Sequence, residues 1–324
     1  MSGRAQVVVV TPNPAVDVTY RVDRQRTGET VRVTGVLRRA GGKGLNVARV
    51  LRTLSVDVLA LHPLGGAAGR WIADELQAEG VPAESVAVPG ETRSTVTVVD
   101  GLMHPTVLAE PGPPVPAPAW AELLDRVRGT CRPGGVLVVA GSSPAGTGPD
   151  LLADLVAAGH AAGARVLVDV SGPPLTAAAA AGADLVKPNA EEALAATGRT
   201  ELDDAVENLL RAGAGQVVVA RGTAGLLGVE AGGRRTTQPA VPGVEGNPTG
   251  AGDAATAGLV AAWVHGAPLQ VGLRWAALLG AAAVLQPGAG HVDLVEVAAL
   301  GRRIPALPAA LQHFSSPAPG TRLP

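Results

Sequence analysis

From residue 6 to residue 220, brief runs rich in Val and Leu alternate with longer amphipathic segments. The runs 6–10, 57–61, 136–140, 165–170, 185–187 and 216–220 are mostly apolar rather than alternating, as in strands covered on both faces. Between them, the apolar spacing predicts helices over 44–54, 68–79, 119–128, 149–162, 190–197 and 203–212. Regular strand–helix alternation of this kind buries all its apolar faces in an α/β fold, a mostly parallel sheet wrapped by helices. Ligands of such sheets collect outside the carboxyl ends of the strands, so the loops after these runs are where chemistry is sought.

Two stretches break the alternation. Val16, Val18, Tyr20 and Val22 in 16–37, and Thr95, Thr97 and Val99 in 92–108, follow a period of two, and neither stretch is followed by a helix of its own. They predict either a small antiparallel sheet inserted into the main domain, with segments at about 12–38 and 92–110, or a pair of surface hairpins. Residues 1–304 then make one domain, and the Pro- and Ser-containing 305–324 is expected to be a flexible tail. The segment 254–273 has no Asp, Glu, Lys or Arg and is long enough to span a bilayer. It is interrupted by His265, Gly266, Pro268 and Gln270, which favours two Ala-rich helices meeting there in a core.

Composition narrows the classes. A 47% hydrophobic fraction with net charge −2 excludes a disordered chain and carries no electrostatic footprint for nucleic acid. The single cysteine, Cys131, excludes an internal disulfide and a thiolate metal cluster and points to a reducing compartment. The opening MSGRAQVVVV lacks the pattern of a secretory leader, so a cytoplasmic protein with no membrane partner is expected. Aromatics are only 2%, so Ala, Val and Leu must build the core. Of 26 basic residues just two are lysine, Lys43 and Lys187, and both fall in candidate ligand loops.

The strongest of these is Asn247-Pro-Thr-Gly-Ala-Gly-Asp253 at the start of a helix. Gly250, Ala251 and Gly252 leave backbone N–H groups uncovered where the helix dipole favours an anion. Asp253 in the first turn is either a helix cap or a base that takes a proton from a hydroxyl attacking a phosphoryl group held there. Ala40-Gly-Gly-Lys-Gly-Leu-Asn46 is a second glycine turn before a helix, with Asn46 able to read a sugar hydroxyl; it is alternatively a structural turn. In Val186-Lys-Pro-Asn189-Ala-Glu-Glu192, Asn189 and Glu192 share a first turn, either facing one ligand or forming a plain capping box. Asp17, Ser142, Gly222 and Gly225 lie in further strand-end loops. There is no Walker A loop, no Gly-x-Ser-x-Gly, no dinucleotide fingerprint after the first strand and no zinc spacing among the histidines.

Thr11-Pro-Asn-Pro-Ala-Val-Asp17, Gly41-Gly-Lys-Gly-Leu-Asn-Val-Ala48, Glu91-Thr-Arg93, Glu110-Pro-Gly-Pro113, Gly141-Ser-Ser-Pro, Asp169-Val-Ser-Gly172, Lys187-Pro-Asn-Ala-Glu-Glu192 and Thr249-Gly-Ala-Gly-Asp253 occur in this order. The set resembles the ribokinase-like, PfkB-type carbohydrate kinases over about residues 6–300, most of all their 1-phosphofructokinase and tagatose-6-phosphate kinase branch. The resemblance implies a three-layer sandwich around a nine-stranded type of core, with a β lid that is also the contact of a homodimer. It implies ATP and Mg²⁺, and phosphorylation of a sugar phosphate, first of all fructose 1-phosphate to the 1,6-bisphosphate. Tagatose-6-phosphate kinase or another hexose or nucleoside kinase are the alternatives. A non-catalytic sugar-phosphate-binding protein is the reading from another class, disfavoured by the intact Gly-Ala-Gly-Asp and Asn-x-x-Glu.

Carried over by motif, Asp253 would be the catalytic base and Gly250, Ala251 and Gly252 the anion hole. Asp17, Gly42, Lys43 and Asn46 would hold the sugar, Arg93 would reach its phosphate, and Ser142 would lie on the substrate side. Lys187, Asn189 and Glu192 would serve the nucleotide phosphates and, through water, Mg²⁺ at Glu192; Gly222 and Gly225 would line the nucleotide loop. The chain departs from the branch at Ala109, where Asn is usual, and at Ala220-Arg221, where Ser-Leu is usual.

Overall fold

The computed structural model describes residues 5–26, 28–100, 105–148 and 150–318. In chain order the strands are β1 (Ala5–Val10), β2 (Ala15–Arg21), β3 (Gly35–Gly41), β4 (Val58–Leu64), β5 (Ala83–Ala87), β6 (Ser94–Val99), β7 (Thr106–Ala109), β8 (Cys131–Ala140), β9 (Arg165–Asp169), β10 (Leu185–Val186), β11 (Gln216–Ala220), β12 (Leu226–Glu230) and β13 (Arg235–Gln238). The helices are α1 (Lys43–Thr53), α2 (Gly66–Ala78), α3 (Ala117–Thr130), α4 (Asp150–Ala161), α5 (Pro173–Ala180), α6 (Ala190–Thr197), α7 (Leu202–Ala212), α8 (Ala251–Val264), α9 (Leu269–Val284) and α10 (Leu294–Gly301). Every strand and helix expected from the apolar periodicity forms; Pro149, the expected first residue of α4, lies outside the described residues.

The main sheet has nine strands in the order β13-β12-β11-β10-β9-β8-β1-β4-β5. From β5 to β11 all neighbours are parallel, each reached by a helical crossover or, for the distant pairs, by a longer excursion. β12 and β13 run antiparallel because only short turns separate β11, β12 and β13, too few residues for a crossover. In β1, Val7 and Val9 face the core under α1, α2, α8 and α9, while Val8 and Val10 face that under α3, α4, α5 and α7. Four consecutive valines thus anchor two separate cores, each buried side chain contributing about 1.5–3 kcal/mol. The three layers follow from this period-two division.

The elements that periodicity did not reveal are short or at an edge. β5 is an edge strand with only Val86 buried, and β13 has no buried residue. The uncharged 254–273 segment divides between α8 and α9 at His265–Pro268, and no described helix is long and apolar enough to cross a membrane.

The smaller sheet has the order β3-β2-β6-β7. Its outer pairs, β2–β3 and β6–β7, are antiparallel hairpin partners, but the central β2–β6 pair is parallel, which corrects the expectation of an antiparallel accessory sheet. The reason is topological: the two hairpins come from separate excursions, and their first strands pair in the same direction. Residues 27 and 101–104 of the lid segments lie outside the described residues.

The expected flexible tail is docked over its described part. Arg274 donates to the carbonyls of Pro305 and Gly301, Trp275 Nε1 donates to Phe314 O at 3.1 Å, and Leu307 and Ala318 are buried. Buried donors on α9 need acceptors, and the tail backbone supplies them. Residues 319–324 lie outside the described residues.

Candidate active site

The carboxyl ends of β1, β9, β10 and β11, the turn from β3 into α1 and the start of α8 converge on one group of polar side chains. At its centre is Asp169, the last residue of β9 and only 1% exposed. Its Oδ1 accepts from Lys43 Nζ at 3.3 Å, and its Oδ2 accepts from Thr256 Oγ1 at 2.6 Å and pairs with Lys187 Nζ at 3.0 Å. Burial works to raise its pKa; the ammoniums of Lys187 and Lys43 and the Thr256 hydroxyl outweigh that and hold it below the ordinary carboxylate value. The charge of Asp169, against the effect of burial, pushes the Lys43 ammonium up.

Asp253 is the opposite case. It is 7% exposed in the first turn of α8, and its pKa is pushed up to about 7, first by burial and then by the negative charge of Asp169. The hydrogen bond from Asn46 Nδ2 to Asp253 Oδ2, 2.8 Å, and the two ammoniums pull the other way without prevailing. Two buried carboxylates with pKa values driven apart are the electrostatic signature of an acid–base site.

Asp253 does not cap its helix: no side chain does so at α8, and its Oδ2 is directed to Asn46. Gly250 begins the helix at φ +85°, and a Cβ there would stand 2.6 Å from that of Ala289. The N–H of Ala251 donates to Pro248 O at 3.1 Å, so it is not the uncovered donor that the sequence implied; the tight turn before the helix takes it. Among the described residues no acceptor meets the N–H of Gly250 or Gly252. The Lys187 ammonium lies beside Gly252, 3.9 Å from where its Cβ would be.

On one side of this centre stand Asp17, Gly42, Asn46, Arg93 and Ser142. Asp17 on β2 tucks against Gly41, where any Cβ would collide with its carboxylate; burial raises its pKa against the N–H of Gly42 and the charges of Arg93, Arg49 and Arg39. Arg93 Nε and Nη1 donate to the carbonyls of Asn13 and Glu110 at 3.2 and 2.9 Å. Asn13 Nδ2 donates to Ser142 Oγ at 3.2 Å and to Pro111 O at 3.1 Å, tying the β1 loop, the lid return and the β8 loop together. The Lys43 ammonium lies between Asp169 Oδ1, at 3.3 Å, and Glu192 Oε1, at 3.7 Å.

On the other side, Asn189 and Glu192 form the capping box of α6: Glu192 N donates to Asn189 Oδ1 at 2.7 Å and Asn189 N to Glu192 Oε2 at 2.9 Å. The capping reading therefore holds, and it leaves Glu192 Oε1 directed to Lys43. Asn189 also bridges to Ala220, which brings the loop carrying Gly222 (φ +56°) and Gly225 (φ +80°) alongside. Arg221 folds back onto this loop, its Nη2 donating to Ala224 O at 3.1 Å. No three His, Cys, Asp or Glu residues able to cage a metal cluster among the described residues. Mg²⁺ in phosphoryl-transfer sites is typically held by one or two carboxylates with waters and substrate phosphates, and the half-buried Glu192 suits that mode.

Asp169 and Asn13 stand within the sequence motifs with no role legible from sequence alone, and Thr256 stands outside them. The available signal was position: both Asp169 and Asn13 end or follow apolar strands, where ligands collect.

Comparison with known proteins agrees with this geometry. The family model described as "pfkB family carbohydrate kinase" matches residues 7–295. A 1-phosphofructokinase of Xanthomonas campestris pv. campestris is 38% identical over 269 residues, 79% of this chain and 84% of that protein. Phosphofructokinase-2 of Escherichia coli, in a crystal structure with fructose-6-phosphate, superposes with a TM-score of 0.83 at 29% identity, covering 92% of this chain and 100% of that one. Arabidopsis thaliana ribokinase complexed with ribose and ATP gives a TM-score of 0.75 at 25% identity, covering 92% and 98%. With its family match spanning most of the chain and its fold shared with these kinases, the chain belongs to the pfkB family of carbohydrate kinases and is a sugar kinase, a phosphotransferase.

Proposed function

We propose that this kinase transfers a phosphoryl group from ATP to a sugar that already carries a phosphate, converting fructose 1-phosphate to fructose 1,6-bisphosphate. The observation that carries the reading is Asp253: a buried carboxylate with a pKa near 7, in the first turn of a helix beside the unpaired amides of Gly250 and Gly252 and two ammoniums. A base of that pKa is matched to neutral pH. In the reaction the acceptor hydroxyl of the sugar gives its proton to Asp253 as its oxygen bonds the γ-phosphorus and the bond to ADP breaks. The unpaired N–H groups of Gly250 and Gly252 form the anion hole, and Lys187 and Lys43 neutralise the charge that spreads over the transferring group.

Asp17, Gly42, Lys43, Asn46 and Ser142 hold the sugar, and Arg93, with its Nη2 free of the two backbone carbonyls, anchors the existing phosphate. Asn189, Glu192, Gly222 and Gly225 serve the nucleotide. When bound, Mg²⁺ supplies positive charge to the nucleotide phosphates, and Glu192 would hold it through water. The phosphorylated acceptor is supported by the relatives, a 1-phosphofructokinase and a phosphofructokinase-2, and by the chain's own Arg93 and exposed lid residue Arg32. The protein works in the cytoplasm as a homodimer joined through the lid, a reading supported by exposed Val36, Leu37, Val107 and Leu108 on the lid's two edge strands.

A screen of fructose 1-phosphate, fructose 6-phosphate, tagatose 6-phosphate and free hexoses with ATP tests the substrate. Fructose 1-phosphate should give the highest kcat/KM; absence of turnover with every phosphorylated sugar sinks the reading. Asp253→Asn should lower kcat by about 10²–10⁴-fold while substrate still binds, and a wild-type rate would remove Asp253 as the base.

A further inference from the structure

Asn46 ends in an amide whose two sides are alike in shape and opposite in chemistry. Its Nδ2 donates to Asp253 Oδ2, so its Oδ1 must face away from that carboxylate. One turn along α1, Arg49 Nη1 donates to Asn46 Oδ1 at 3.4 Å. A guanidinium has donors only, so an Asn46 turned end for end would set its NH₂ against Arg49 and its carbonyl against Asp253, unfavourable at both ends. Arg49 is itself fixed: its Nε donates to Glu79 Oε2 at 2.6 Å, from the carboxyl end of α2.

The arrangement is tight and carries a penalty. The Arg49 side chain is 5% exposed, and its Nη2 is buried with no partner, a cost that a purely structural ion pair would have been better built without. Gly290 closes over both residues; a Cβ there would stand 2.9 Å from Asn46 Oδ1 and 3.2 Å from Arg49 Cδ.

We propose that Arg49, anchored by Glu79, is a positioning residue that holds the Asn46 amide with its N–H toward Asp253 and so keeps the Asp253 carboxylate available as a base. The inference rests on the reading of Asp253 as the base. Charged and titratable groups around the chain of contacts are Asp169, Lys43 and Lys187 at Asp253, and Glu79, Arg39, Asp17 and His291 around Arg49. Replacing Arg49 also withdraws its charge from Asp17, Arg39 and His291, so the comparison with an Asn46→Ala background is what isolates the amide.

Arg49→Met removes the donors and keeps much of the stem. Its kcat should fall about 10–100-fold near pH 6.5 and recover to within about threefold of wild type near pH 9, because an amide carbonyl turned toward Asp253 makes that group harder to ionise. In an Asn46→Ala background, Arg49→Met should change kcat by less than about twofold, the coupling expected when one residue acts only through the other. An equal loss at every pH, or an undiminished loss without Asn46, overturns the proposal and leaves Arg49 a folding residue. If Arg49→Met does not fold, Glu79→Gln takes its place: the same pH-dependent loss, smaller in size, supports the proposal, and a pH-independent one overturns it. Asp253→Asn separates the two levels. Wild-type turnover in that variant removes the base reading and this inference together; an inactive Asp253→Asn with a pH-independent Arg49→Met defect removes the inference alone.

Discussion

Asp169 and Asp253 differ in sequence only by neighbourhood, and the structure turns that into opposite chemistry. Asp169 has two ammoniums and a hydroxyl and stays ionised; Asp253 has one amide donor and stays close to neutral pH in its titration. Turnover should therefore rise with pH through about 7 as Asp253 loses its proton, and a kcat–pH profile with no acid limb in that region would refute the assignment. Linkage gives a second outcome. The folded pKa of Asp253 lies above the ordinary aspartate value of 3.8, so the native state holds the proton more tightly and this group costs stability progressively as pH rises from about 4 to about 7. Asp253→Asn should accordingly gain thermal stability over wild type across that range and keep the gain above it, measured as Tm against pH. At Arg93, replacement by Ala should raise KM for a phosphorylated sugar by the equivalent of roughly 2–5 kcal/mol and leave KM for an unphosphorylated sugar little changed. Steady-state kinetics with the two acceptors decides, since the lost contacts to the carbonyls of Asn13 and Glu110 would affect both equally.

At the level of elements, the site depends on how closely α8 lies against its surroundings. Gly258 faces α9 so tightly that a Cβ would meet Ala276 N at 2.6 Å. Gly258→Val should destabilise by about 1–3 kcal/mol or more through overpacking, read from urea unfolding, with the site lost only as the fold is lost. Gly250→Ala is the contrasting case. Its left-handed φ of +85° costs an L residue about 1–2 kcal/mol, and the methyl would meet Ala289. Because the turn aims the first amides of α8, kcat should fall by more than the stability loss explains. The periodicity of the chain disclosed α8 as a helix, since its apolar run is long; it could not disclose that Gly258 is a contact and Gly250 a conformational requirement, because both facts belong to the partner segments.

At the scale of the whole molecule, the small sheet is built from two excursions that are distant in sequence and pair through β2 and β6. Its edge strands β3 and β7 carry exposed Val36, Leu37, Val107 and Leu108, at 57, 42, 56 and 60%. Unpaired edges bearing apolar side chains are association sites. In the proposed homodimer, Leu108→Asp should shift the protein toward monomer in sedimentation velocity, and wild-type protein that is already monomeric at micromolar concentration would remove the lid contact. The described tail residues 305–318 belong to the same scale: their composition reads as a free end, yet the buried donors of Arg274 and Trp275 recruit their carbonyls.

The sequence by itself determined the layer order of the fold, through runs like Val7–Val10 that must be covered on both faces, and it marked the candidate ligand loops, through Lys43, Asn46, Lys187, Asn189 and the glycines before Asp253. These are local properties, set by side-chain period and backbone permissiveness. Only the tertiary structure decided which of those residues share a charge: that Lys43 joins Lys187 on Asp169, that Asn46 donates to Asp253, and that Arg49 and Glu79 stand behind it. The physical reason is range. Periodicity acts over a few residues, whereas the pKa of Asp253 is set by groups 207 residues away in sequence for Asn46 and by burial under elements from both ends of the chain.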